Sequence, residues 1–170
     1  MVPVLLLTGP VGVGKSAVLH EADELLIRAE IPHATVVLEE IARCWPTGTH
    51  EPPAEPIAYR NLALLWPNFA AQGAQRLLLE QLVEHASQLR QLRSTLPTAT
   101  ITVVRLTAQL SLIEERLRAR EPYPDGELAA ARWLTPRMDL GGVEDHVVEN
   151  GQRSLREVAT EVLQVAQWLP

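Results

Sequence analysis

Apolar residues fall along this chain in two alternating rhythms. Short, nearly unbroken apolar runs are followed by longer stretches in which apolar positions recur every three or four residues. These are the patterns of buried parallel strands and of amphipathic helices. Val2 to Thr8 is the first run and stops at Gly9. After a glycine-bearing octet, Val18, Ala22, Leu25, Leu26 and Ala29 keep helical spacing, and Pro32 limits that helix. His33 to Leu38 reads as a second strand closed by the acidic pair Glu39 and Glu40, with a short helical piece reaching Cys44. Pro46 to Pro56 carries four of the thirteen prolines plus Gly48, so it reads as a loop and as a candidate mobile segment beside a ligand.

The alternation continues to the end of the chain. Ile57 to Gln72 is helical around Leu62, Leu65 and Phe69, with Gly73 as its stop and Pro67 as a possible kink. Arg76 to Glu80 is a third strand ending in a carboxylate, a helix follows towards Arg93, and Thr98 to Leu106 is a fourth strand rich in β-branched residues. Ser111 to Arg120 is helical, Pro122 and Pro124 interrupt it, and Glu127 to Met138 resumes, which is the shape of a lid over roughly residues 112–138. Asp145 to Glu149 is a last short strand and Asn150-Gly151 a turn. Ser154 is an N-cap that forms a capping box with Glu157. No internal repeat interrupts the pattern. A five-stranded parallel sheet with helices on both faces follows, a three-layer α/β sandwich in a single domain over residues 1–170.

The octet Gly9-Pro10-Val11-Gly12-Val13-Gly14-Lys15-Ser16 sits between the first strand and the first helix. It matches GxxxxGK[ST], in which glycines let backbone amides turn inward and the following helix adds its positive end. Lys15 then reaches the β- and γ-phosphates of a nucleoside triphosphate, and the Ser16 hydroxyl ligates Mg²⁺. Residues 9–16 with Ala17 are the candidate ATP-binding set.

Transfer of a phosphoryl group needs a carboxylate to orient the attacking hydroxyl and cations to neutralise the migrating group. Open α/β sheets place such groups at the carboxyl ends of strands. Glu39, Glu40 and Glu80 all end strands there, with Glu39 the leading candidate for the base and Glu80 for the metal. The other reading makes them solvated acids at helix N-termini. Arg116 and Arg120 share a helix face at the edge of the lid, whereas Arg118 points away. The pair is expected to be mobile until nucleotide closes the lid and then to clamp the triphosphate. The competing reading is a solvated face paired with Glu114, Glu115 and Glu121.

Composition narrows the partners. With 170 residues and 46% apolar content the chain can bury one good core. A net charge of −6 argues against coating a nucleic acid. The apolar start has no basic leader and is too short to span a membrane, so a cytoplasmic monomer or homodimer is expected. Lysine occurs once, at Lys15, against fourteen arginines, as expected if the phosphate cradle needs a slim ammonium. Cys44 reads as a core thiol and Trp45, Trp66, Trp133 and Trp168 as packing residues, Trp45 being the one placed to meet a ligand. The five histidines show no metal spacing. Asp139-Leu140-Gly141-Gly142 imitates a guanine-nucleotide motif but comes late in the chain.

These segments together resemble the small P-loop kinases of the nucleoside- and nucleotide-kinase-like group, including adenylylsulfate kinases and chloramphenicol phosphotransferase-like enzymes. The resemblance runs through residues 9–16, 36–46, the Asn-Leu-Ala at Asn61, 116–121 and 147–154, of which only the first is highly specific. It implies sheet order 2-3-1-4-5, ATP and Mg²⁺ as cofactors, and a small-molecule hydroxyl acceptor. It also implies Glu39 as base, Arg116 and Arg120 as lid arginines, and an adenine contact around Asn150 and Gly151. Similar proteins carry Asp-x-Asp at the end of strand two, where this chain has Val37 and Glu39. That departure suggests either a different acceptor or a nucleotide-binding regulatory protein without phosphoryl transfer.

Overall fold

A computed structural model describes residues 1–44 and 54–170. Five strands, β1 (Val2–Thr8), β2 (Ala34–Val37), β3 (Leu77–Glu80), β4 (Ala99–Thr107) and β5 (His146–Glu149), form one sheet in the order β2-β3-β1-β4-β5. Every pairing is parallel. Six α-helices cover it: α1 (Lys15–Arg28), α2 (Ala54–Ala71), α3 (Ala86–Thr95), α4 (Leu110–Arg120), α5 (Asp125–Gly141) and α6 (Leu155–Val165). This is the α/β sandwich expected from the sequence, with the strand order that the resemblance implied.

β1 is central because its run is apolar on both faces. Leu5, Leu6 and Leu7 are all fully buried. Alternation along the strand sends Leu5 and Leu7 into a core shared with Val18 of α1, Ile113 and Leu117 of α4, and Val158 and Val162 of α6. Val4 and Leu6 go to the opposite core, with Leu62 of α2 and Leu89 and Leu92 of α3. Each such leucine contributes about 1.5–3 kcal/mol on burial, and truncating one to alanine costs about 2–5 kcal/mol.

The same two-residue period fixes the chemistry at the strand ends. Glu80 is paired in register with Leu7 and Val37 and shares the α1 side of the sheet with Leu78. Gln81, the next residue, turns to the other side, where its Nε2 donates to the Tyr59 hydroxyl of α2. One position therefore faces the glycine loop and its neighbour braces the far helix layer.

Three expectations are corrected. α2 begins at Ala54, inside the stretch read as loop. The remainder of that loop, Trp45 included, lies outside the described residues. Cys44 is exposed rather than core, because it follows the 3-10 turn Glu40–Ala42 at the edge of the sheet. Trp133 is half exposed and stacks under the Arg137 guanidinium at 4.2 Å instead of packing inside. Among the described residues, no helix is long and apolar enough to cross a membrane.

Candidate active site

The loop from Gly9 to Gly14 needs its glycines for steric reasons that can be named. Gly9, Gly12 and Gly14 have φ of 145°, 80° and 99°. A Cβ at Gly9 would stand 2.7 Å from the Leu106 carbonyl oxygen, and one at Gly14 would stand 2.5 Å from Asn150 Nδ2. α1 then starts from Gly14 with no side-chain cap and no acid in its first turn. Its leading amides are thus left for an outside acceptor, which is the arrangement that binds anions. Lys15 folds back over the loop and donates to the carbonyls of Gly9 at 3.0 Å and Pro10 at 3.3 Å. Burial pushes its ammonium below the ordinary lysine range; Glu80 and Glu39 oppose that shift and Arg120 adds to it. Ser16 and Ala17 are exposed at the start of α1.

At the foot of the loop the Ser16 hydroxyl donates to Glu80 Oε1 at 3.2 Å. Glu80 is 7% exposed, and its other oxygen, Oε2, is buried without a hydrogen-bond partner. Burial pushes this carboxyl above the usual carboxylate range; Lys15 and Ser16 oppose the shift, and Glu39 and Glu40 add to it. An orphaned carboxylate oxygen beside a serine hydroxyl is a pair of hard oxygen donors with spare capacity. It fits Mg²⁺, which takes few protein ligands and keeps waters and phosphate oxygens as the rest. Among the described residues no cluster of three or more His, Cys, Asp or Glu side chains is placed to hold a metal ion.

The acids at the end of β2 separate. Glu40 pairs with Arg43 at 3.1 Å on an exposed turn. Glu39 is exposed, its carboxylate has no partner among the described residues, and its charge is felt at both Lys15 and Glu80.

The arginines separate more sharply. Arg118 pairs with Glu114 at 2.8 Å. Arg120 is exposed and pairs with Glu121 at 2.6 Å and Glu127 at 3.4 Å. Arg116 instead donates to three backbone carbonyls, of Val13 at 3.2 Å, Asn150 at 3.0 Å and Gly151 at 2.9 Å. Burial pushes it below the ordinary arginine range, with Glu115 opposing. The Arg116 fork thus lies against the Val13 carbonyl and the carbonyls that the β5–α6 turn presents to it. Asn150, expected near adenine, is 2% exposed and spends its Nδ2 on the Val13 carbonyl at 2.7 Å.

Sequence reasoning passed over Arg105. It is 7% exposed on β4 and bonds Asp139 at 2.7 Å and Glu144 at 3.0 Å, tying the end of α5 to the sheet. A lone charge inside the run Thr102 to Leu106 was its signal. The Asp139 of the guanine-like motif is thereby occupied as an ion-pair partner.

No family model matches the sequence, and no curated protein does. Solved structures do match over nearly the whole chain. The tunicamycin resistance protein of Deinococcus radiodurans is 17% identical with a TM-score of 0.64, covering 99% of this chain and 98% of that one. A sugar kinase from Janibacter sp. HTCC2649 is 16% identical with a TM-score of 0.62, covering 100% and 97%. The Mycobacterium tuberculosis APS kinase, solved with AMPPNP and APS, is 19% identical with a TM-score of 0.60, covering 97% of each chain. The chain shares the fold of these P-loop structures, of which the Janibacter and Mycobacterium tuberculosis proteins are described as kinases.

Proposed function

We propose that the protein is an ATP-dependent kinase that moves the γ-phosphoryl group to a hydroxyl of a small metabolite, nucleoside, nucleotide or antibiotic. The observation that carries the reading is the uncapped start of α1 behind the glycine loop, with Ser16 and the half-satisfied Glu80 carboxylate at its foot. In this reading the amides of residues 9–16 and Lys15 hold the phosphates, Ser16 and Glu80 hold Mg²⁺, and Glu39 accepts the proton of the attacking hydroxyl. The new bond forms between the acceptor oxygen and the γ-phosphorus as the bond to the departing nucleoside diphosphate breaks. Bound Mg²⁺ would neutralise charge on the phosphate oxygens. Arg120 is the lid cation free to exchange carboxylate partners for phosphate, because its present pairs are exposed and individually weak.

Incubation with γ-labelled ATP, Mg²⁺ and a broad panel of hydroxyl compounds tests this, with label expected on one chemical class of acceptor. ATP binding with no transfer to any acceptor would favour a nucleotide-binding regulatory protein, the reading that Val37 suggests. Glu39→Gln keeps shape and removes charge, so kcat should fall about 10²-fold or more with little change in ATP affinity. A silent Glu39→Gln beside an inactive Glu40→Gln would move the base to Glu40.

A further inference from the structure

Behind the phosphate loop lies a brace that no sequence motif announces. The Val13 carbonyl oxygen accepts two hydrogen bonds, from Asn150 Nδ2 at 2.7 Å and from Arg116 Nη1 at 3.2 Å. The same guanidinium is anchored on the carbonyls of Asn150 and Gly151. The Asn150 amide is itself held by the Thr107 carbonyl at 2.7 Å, at the end of β4. Helix α4, the β5–α6 turn and the end of β4 thus converge on one peptide of the loop. Gly14 is shaped to admit the brace, since any Cβ there would collide with Asn150 Nδ2.

The trans peptide converts this into an aiming device. In a trans unit the C=O and the following N–H point in opposite directions. Fixing the Val13 carbonyl towards Asn150 and Arg116 therefore fixes the Gly14 N–H towards the other side, into the cradle. The Arg116 guanidinium hydrogen-bonds only to carbonyls and forms no ion pair among the described residues, although it feels the charge of Glu115. For Arg116 to reach a phosphate it would have to give up three hydrogen bonds, and Asn150 is 2% exposed.

Resting on the P-loop reading above, we propose that Asn150 and Arg116 are positioning residues that lock the Val13–Gly14 peptide before nucleotide arrives, leaving phosphate contact from the lid to Arg120. Two measurements test it, both made well below the unfolding temperature. In the nucleotide-free protein, hydrogen exchange at the loop amides of residues 11–15 should quicken about tenfold or more in Asn150→Ala and in Arg116→Gln, while β4 amides are unaffected. MgATP affinity by calorimetry should fall about tenfold in each, and no further in the double variant, because both act through one carbonyl. Arg116→Lys should behave like Arg116→Gln, since an ammonium carries its three donors on one nitrogen and cannot span carbonyls that two separate guanidinium nitrogens reach. Loop exchange unchanged in both single variants, additive losses in the double variant, or wild-type affinity in Arg116→Lys would each overturn the brace. A wild-type protein that binds no MgATP would overturn the functional reading instead, and the exchange measurement, which needs no ligand, would still decide the brace.

Discussion

The chain contains two helix N-termini, of α1 and α6, that face the same physical problem and solve it oppositely. Each exposes amides that lack intrahelical acceptors. α6 closes its own end: Ser154 accepts from the Glu157 amide, and the Glu157 carboxylate reaches back to the Ser154 N–H at 2.9 Å. α1 has glycine at the same position, no side-chain cap and no acid in its first turn. The capped end secures stability; the uncapped end keeps its donors for a ligand and relies on buried strands to hold it in shape. α4 also starts with no side-chain cap and no acid in its first turn, so what marks the open end of α1 is the glycine loop and Lys15 in front of it.

The sharpest way to break this contrast is Lys15→Ala. It removes the ammonium held over the open terminus, and turnover should fall about 10³-fold or more, the scale of losing a principal charge donor to a transition state. Its ammonium is depressed by burial, so the charge is a cost to the nucleotide-free fold at neutral pH. Tm should be unchanged or higher. Wild-type turnover in Lys15→Ala would remove the phosphate-site assignment altogether.

Glu80→Gln comes next and separates binding from stability through pH. A raised folded-state pKa contributes stability below the unfolded value and loses it as pH rises through the folded value. The ionised Glu80 is therefore a burden on the nucleotide-free protein at neutral pH. Glu80→Gln should raise Tm at neutral pH, with the gain vanishing in acid where both side chains are neutral, while Mg²⁺-dependent tightening of ATP binding falls about tenfold or more. A lower Tm at neutral pH would show that the attraction to Lys15 outweighs burial.

Much of the scaffold was legible because parallel strands bury both faces and so announce themselves as continuous apolar runs. Val2 to Thr8 and Leu77 to Glu80 are examples, and Glu80 could be read as a strand-end acid for the same reason. The glycine loop was legible because its spacing encodes a backbone shape. The roles of Arg116 and Asn150 were not, since their partners are the carbonyls of Val13 and Gly151, and a carbonyl is present at every residue whatever the sequence. Arg105 was missed for a related reason: its pairing with Asp139 and Glu144 joins residues 34 and 39 positions apart, which no local pattern records.

Arg120→Lys is expected to have a smaller effect, lowering kcat about tenfold while barely moving the apparent KM for ATP. Lysine keeps the charge and loses the planar fork, which counts only once the lid has closed on the phosphates. Arg118→Lys, whose partner Glu114 faces away on the same helix, is the matched comparison and should be mild. Equal small losses at both positions would make this end of α4 a solvated ion-paired face.

The smallest expected effect returns to α6. Ser154→Ala removes a cap and leaves the Glu157 amide without its acceptor, which costs about 1 kcal/mol, or about 2–4 °C in Tm for a chain of this size. Glu157 is held below the usual carboxylate range chiefly by the Ser154 hydroxyl and amide. Its stabilising contribution is present above the unfolded carboxylate pKa and lost as pH falls through the folded value, so the Tm difference between Ser154→Ala and wild type should shrink in acid. MgATP affinity should be untouched, because the amides that Ser154 and Glu157 close are satisfied within the helix itself. The α6 cap begins only three residues beyond Gly151, whose carbonyl anchors Arg116, so a loss of affinity in Ser154→Ala would mean that fraying of this helix reaches the turn behind the phosphate loop. The two termini would then be coupled, and the division between a self-satisfied end and a ligand-satisfied end would fail.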